Sequence, residues 1–254
     1  MIKFENTEVM GFEGAIRGMR NPLNSWDKSD SDYCYDYSDC EHCKLCDDKY
    51  AETTGENPYI LGPNDLALAQ KLIKAGSDHR KFLRQIFVSV DSTAPLYWWK
   101  EFDTYKVATV SNSCSTMHTI HKKEFTLDDF SHEHLFNGVE RKEYYNDDME
   151  YYENPTTCLE YTIAVLNYYR NKFIETKIKS MKEESKRAEL RKRYWYQMIQ
   201  LLPSSYNQKR TVTLNYETIR AIRHSDRKSH KLDEWRIDCM EWIDSLPYAE
   251  ELLL

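Results

Sequence analysis

The stretch TVTLNYETIRAIRHSDRKSH, Thr211 to His230, sets Arg220, Arg223, His224, Arg227 and His230 within a few turns. It opens as a short strand, Thr211 to Leu214, and becomes helical from about Tyr216. A strand that hands over to a basic helix start can hold an anion, because backbone N–H groups and arginine forks both suit phosphate oxygens. Its plainer reading is a solvated helix with nothing bound. A second constellation is CYDYSDCEHCKLC, which puts Cys34, Cys40, Cys43 and Cys46 in thirteen residues. Four thiolates can close a tetrahedral zinc site, although C-x2-C-x2-C is crowded for that ion. Iron–sulfur clusters also use close cysteines, but the full bacterial ferredoxin spacing is missing. The expectation is a structural metal staple; the alternative is an insertion whose thiols bind nothing.

Residues 107–118, VATVSNSCSTMH, are small and hydroxyl-rich. They suit a loop pressed close to a ligand, or an ordinary polar surface loop. Cys114, between Ser113 and Ser115, can serve as a nucleophile only where a base or positive field lowers its pKa. Cys158 and Cys239 read as buried structural thiols. His118, His121, His132 and His134 cluster, yet no cysteine or carboxylate pattern nearby completes a metal site, so they read as solvated.

These residues need elements to position them. Ile2 to Glu8 reads as a first strand and Gly11 to Arg20 as a helix, stopped by Asn21-Pro22 because the residue before proline leaves the helical region. Pro63-Asn64-Asp65 starts a helix that Gly76 closes, and Ser77-Asp78 can cap another short one. Ile86, Val88 and Val90 alternate as in a half-buried strand. Pro95 opens the helix LYWWKEF. Thr156 or Thr157 starts a long helix with apolar residues at Leu159, Ile163, Leu166, Phe173 and Ile178. A further helix follows it up to Pro203, and Leu232 to Leu246 reads as the last. No internal repeat is present.

A hydrophobic share of 41% and a charged share of 30% over 254 residues describe a globular chain, not a disordered one. The net charge of -7 argues against a dedicated nucleic-acid binder. The opening MIKFENTEVMGFEG has no apolar signal region and no run is long enough to span a membrane. A cytoplasmic protein with cysteines in a reducing compartment is expected, with neither nucleic acid nor membrane as partner.

Taken in order, the chain resembles the flavin-dependent thymidylate synthases. EVMGFEGAIRGMR is similar to the family's opening strand and first helix, and NDLALAQKLIKAGSDHRKFLRQIFVSV to its next helix, turn and strand. Ala94-Pro95 leads into the helix that carries the family signature. LLPSSYNQKRTVTLNYETIRAIR resembles the family's Leu-Pro, strand and helix-starting asparagine, and SHKLDEWR its following stretch. The resemblance implies an α+β fold, a small antiparallel sheet packed with helices, plus a long helical segment from about 155 to 202. It implies one domain over 1–254, with the Cys-rich insertion at about 28–58. It also implies reductive methylation of dUMP with FAD, NADPH and methylenetetrahydrofolate, in a homotetramer whose sites form at subunit interfaces.

The scaffold matches better than the site. The family signature is R-H-R-x-x-S-x-N-x-x-S-x-R. Counted from Pro95, its first three positions fall on Thr104, Tyr105 and Lys106, and only the last keeps its charge. The serine and asparagine positions fall on Thr109, Ser111 and Cys114, and the last arginine on Thr116. Sliding by one residue recovers Asn112 and Ser115 but leaves Met117 at that arginine. The glutamine before the signature becomes Glu101. A substrate-binding arginine falls on Asp226, beside Arg227, and a flavin-side arginine two residues past Asn215 becomes Glu217. Asn215 itself matches. By resemblance, Ser115 or Cys114 lies near the nucleotide; Asn215, Lys106 and Tyr105 lie on the flavin side; Glu101, Arg227 and Arg223 contact substrate. Arg210 and Arg220 are further long cations that can stand in for the lost ones. Two other readings stay open: altered one-carbon transfer to a pyrimidine nucleotide, and a non-catalytic binding protein that uses the cysteine insertion as an interaction element.

Overall fold

The computed structural model describes residues 2–34, 58–136, 154–176 and 184–253. Cys40, Cys43 and Cys46 lie outside the described residues, as does Ile178. Strand β1 (Lys3–Met10) leads to α1 (Phe12–Arg20) through Gly11. Gly11 has a φ of 95°, and a Cβ there would collide with the Gln85 carbonyl oxygen, so only glycine makes this corner. Ala15, Ile16 and Met19 form the buried face of α1. A two-stranded antiparallel ribbon, β2 (Asp32–Tyr33) with β3 (Tyr59–Ile60), closes the ends of the insertion.

Helix α2 (Pro63–Lys74) begins as its proline predicts, but its cap comes from elsewhere in the chain. The Asp30 carboxylate accepts the Asn64 and Asp65 N–H groups at 2.8 and 3.1 Å. Asp65 turns inward and is fully buried. It accepts from the Ser31 and Ser29 hydroxyls at 2.6 and 2.7 Å and from the buried Arg20 guanidinium. The short helix expected at Ser77-Asp78 begins later, as a 3-10 turn over Lys81–Gln85.

Strand β4 (Phe87–Pro95) buries Val88, Val90, Ser92 and Ala94 in alternation, and α3 (Leu96–Phe102) follows from Pro95. Trp98, Trp99 and Phe102 are buried, with the Trp98 and Phe102 rings stacked at 5.0 Å. The stretch 107–118 contains a strand, β5 (Val110–Ser113), and one helical turn, α4 (Thr116–Thr119). All four β5 residues are exposed, so no alternation announced the strand.

Asn154 caps α5 (Pro155–Glu175) by accepting the Thr156 and Thr157 N–H groups, which places the helix start just ahead of the expected residue. Helix α6 (Glu184–Leu201) packs on α5 around Ile120, Phe125, Phe130, Leu159, Leu166 and Met198. Cys158 is exposed, contrary to expectation, because Leu159 and Leu166 take the inward face of α5; Cys239 is buried as expected. Strand β6 (Asn207–Asn215) is longer than the four residues read from alternation and runs straight into α7 (Tyr216–His224). The expected last helix is a π-helical turn, Glu234–Cys239, continued by α8 (Met240–Asp244), with α9 (Ala249–Leu252) after it.

The fold is α+β with a small antiparallel sheet, in the order β1-β4-β6-β5. The chain groups into two compact units. One holds Thr93–Thr104 and Asn112–Arg210; the other holds Ile2–Ser92, Tyr105–Ser111 and Thr211–Leu254. No described helix is long and apolar enough to cross a membrane.

Candidate functional site

In the second unit, the start of α7 is built by Asn215. Its backbone is extended, its Oδ1 accepts the Thr218 N–H at 2.9 Å, and its Nδ2 donates to the Arg84 carbonyl at 3.4 Å. Such a cap fixes the helix start and is worth about 1 kcal/mol. Asn215 is buried at the head of the helix. Thr218 donates from Oγ1 to the Val107 carbonyl at 3.0 Å, which ties the segment 105–111 to α7.

Glu217, where the family resemblance puts an arginine, is paired. Arg80 Nε donates to both of its carboxylate oxygens, at 3.1 and 2.9 Å. One turn further on, Arg220 Nε is buried with no hydrogen-bond partner. Burial first, and then the like charge of Arg80, push the Arg220 pKa down, while Glu217 pulls it back up. The first turns of α7 therefore carry an acid–base pair, one Arg80 N–H shared by both Glu217 oxygens, beside a guanidinium with an unspent donor.

Arg227 and Tyr105 are brought into contact: Arg227 Nε donates to the Tyr105 hydroxyl at 3.0 Å. The Arg227 guanidinium lies 4.5 Å from the Trp235 ring centroid and 5.7 Å from that of Tyr105. Arg223 forms an ion pair with Asp244 at 2.8 Å, while its Nε, like that of Arg220, is buried without a hydrogen-bond partner. Lys106 is exposed and has no ion pair among the described residues. Arg80, paired with Glu217, and Trp235, stacked on Arg227, are residues that spacing did not single out. Arg80 sits in GSDHRKFLRQ, which reads only as a turn into a short helix.

The other unit holds Glu101, Cys114 and Ser115. Glu101 is half-buried on α3. Cys114 is exposed, and its backbone is clamped to β6: its N–H donates to the Lys209 carbonyl, and its carbonyl accepts from Gln208 Nε2, both at 2.9 Å. Gln208 Oε1 in turn accepts from Arg210 Nε at 3.0 Å. Arg210 pairs with Asp103 at 2.8 Å and lies 4.2 Å over the Trp99 ring. Ser115 Oγ caps α4 by accepting the His118 N–H at 3.2 Å. Arg210 is thus a brace for the loop. His118 and His134 are exposed as expected. His121 is not solvated: it is half-buried, with its ring 4.8 Å from that of Phe173. Cys34 is half-buried, and among the described residues no three His, Cys, Asp or Glu side chains converge as a metal site.

No family model matches the chain, and no curated protein matches it by sequence. Solved structures do match it, among them two that cover nearly its whole length. One is the crystal structure of thymidylate synthase X (ThyX) from Helicobacter pylori with FAD and dUMP. It is 15% identical, with 99% of this chain and 95% of that chain covered at a TM-score of 0.55. The other, flavin-dependent thymidylate synthase ThyX from the same organism complexed with FAD and dUMP, is also 15% identical. It covers 99% of this chain and 96% of its own, at a TM-score of 0.55. The likeness shows the fold, a small antiparallel sheet with many helices as in ThyX.

Proposed function

We propose that this chain is a ThyX-like protein that binds a deoxyuridine nucleotide, with FAD as cofactor, at the head of α7. The observation that carries this reading is Arg220, a guanidinium whose buried Nε lacks a partner one turn into the helix. A buried donor without an acceptor is costly, and a phosphate oxygen is the acceptor that arginine suits best. The neighbouring Glu217 does not repel such a group outright, because Arg80 spans both of its oxygens.

In this reading Arg220 holds phosphate, and Arg227 and Lys106 add positive charge. Tyr105 and Trp235 fix the plane of the Arg227 guanidinium through a hydrogen bond and a stack. Asn215 and Thr218 hold the helix start and the 105–111 segment. The resemblance, in which sites form between subunits, is what gives Ser115 or Cys114 a place by the nucleotide and Glu101 the place of the family's glutamine. When bound, FAD supplies reducing equivalents for methylation of dUMP, with methylenetetrahydrofolate and NADPH as co-substrates. The proposal includes a cytoplasmic homotetramer, one domain per chain, and a structural metal on Cys34, Cys40, Cys43 and Cys46.

Glu217 at the flavin-side position favours a second reading, nucleotide binding with one-carbon transfer but without flavin reduction. An absorbance scan after incubation with FAD and gel filtration separates the two. Retained flavin bands in the near-ultraviolet and blue support the first reading. Saturable dUMP binding without retained flavin moves the assignment to the second, and absence of both overturns the proposal.

A further inference from the structure

We propose that His121, Arg170 and Arg191 form a second anion site, one that takes a tetrahedral oxyanion such as a phosphate or sulfate group. The three residues come from three elements of the α5–α6 unit: the turn after α4, α5 and α6. Phe173 is the common floor of His121 and Arg191. The His121 ring centroid lies 4.8 Å from it, and the Arg191 guanidinium carbon 4.1 Å above it. Arg191 is anchored there because its Nε donates to the Phe173 carbonyl at 3.3 Å.

Two nitrogens in this group, His121 Nδ1 and Arg170 Nε, are buried without a hydrogen-bond partner. Arg170 spends one other N–H on Asn171 Oδ1, at 3.0 Å. No ion pair among the described residues supplies a carboxylate to His121, Arg170 or Arg191; the nearby Lys172 is paired with Glu175 at 3.5 Å. Burial first, then the like charges of Arg191 on α6, Lys122 on the same turn and Arg170 on α5, push the His121 pKa down. The buried Arg170 Nε lacks an acceptor, and His121 Nδ1 becomes a second unspent donor when the ring is protonated. A tetrahedral oxyanion offers several lone pairs to such donors at once. None of these residues belongs to the group at the head of α7, so this site stands or falls independently of the proposed nucleotide site.

An anion on this site favours the imidazolium, so binding takes up a proton and tightens as pH falls. Inorganic sulfate is the right probe, because its own charge stays constant across the histidine range. The His121 ring resonances of the native chain are followed by NMR as sulfate is added at constant ionic strength. Measurements at about pH 5.5 and about pH 8 bracket the unperturbed histidine pKa of about 6.5. The expected result is a saturable shift with affinity at least about tenfold higher at the lower pH. In calorimetry, His121→Gln should bind with little pH dependence and Arg170→Gln should bind at least about tenfold more weakly at both pH values. Arg220→Gln should leave the His121 titration unchanged. No saturable shift in the native chain at either pH overturns the proposal. So does a pH dependence that survives in His121→Gln, or a His121 shift that disappears in Arg220→Gln.

Discussion

Arg220 and Arg223 lie three residues apart on one helix, and sequence spacing cannot say which of them remains available to a ligand. Both keep a buried Nε without a hydrogen-bond partner, but Asp244, distant in sequence, pairs with a terminal nitrogen of Arg223, while no ion pair among the described residues takes Arg220. The same holds for Glu217. Its position against the family pattern was legible, but its partner Arg80 lies more than a hundred residues upstream and was not. Glu217→Arg puts the resemblance-implied charge back but leaves Arg80 facing a cation. Thermal or urea unfolding should show a loss of about 1.5–3 kcal/mol, the range for hydrogen bonds to charged groups. A variant as stable as the native chain would mean the pair contributes nothing. Arg227→Lys keeps the charge but loses the planar fork and much of the stack on Trp235. It should weaken dUMP binding in calorimetry about as much as Arg227→Ala does, roughly ten- to a hundredfold for about 1.5–3 kcal/mol. Binding restored by lysine would show that bare charge, not the fork, is what matters.

Among the elements, the α1–α2 region shows where local reading stops. Proline at the start of α2 was legible, but its cap is Asp30, and Asp65 was read as part of the helix start although it is a buried anchor for Arg20, Ser29 and Ser31. Burial alone would raise the Asp65 pKa, yet hydrogen bonds from Ser31, Ser29 and Arg20 hold it below the usual carboxylate value. With a folded pKa below the unfolded value of about 3.9, Asp65 contributes stability above that value and loses it as pH falls through the folded pKa. Asp65→Asn leaves Arg20 buried without its counter-charge and should cost about 3–5 kcal/mol at neutral pH. Unfolding curves should also show less acid sensitivity below about pH 4 than the native chain. An unchanged acid limb would remove Asp65 from the account. Strands β5 and the first half of β6 escaped the sequence for a related reason. The β5 side chains are exposed, and Gln208 and Arg210 are polar residues held by a bracing network, so neither stretch alternates.

For the molecule as a whole, the order of elements carried the most information. The α+β fold with its small antiparallel sheet was readable from the family resemblance, and the 15% identity to ThyX shows how little side-chain identity such a fold requires. Function is less legible at this scale because it rests on a few long side chains whose partners are set by tertiary contacts. A tetramer should show light-scattering mass four times that of the chain at micromolar concentration, and a monomer would remove the shared-interface part of the proposal. Elemental analysis of protein purified without chelator should find zinc or iron if the four insertion cysteines hold a metal; their absence would leave those thiols unligated. The central claim is that Arg220 at the head of α7 binds the phosphate of a deoxyuridine nucleotide. Titration calorimetry of dUMP into the native chain and into Arg220→Gln tests it directly. The account predicts saturable binding by the native chain, weakened by at least about tenfold in the variant, as loss of one charge-assisted contact requires. Equal binding by both, or no binding by the native chain, would contradict it.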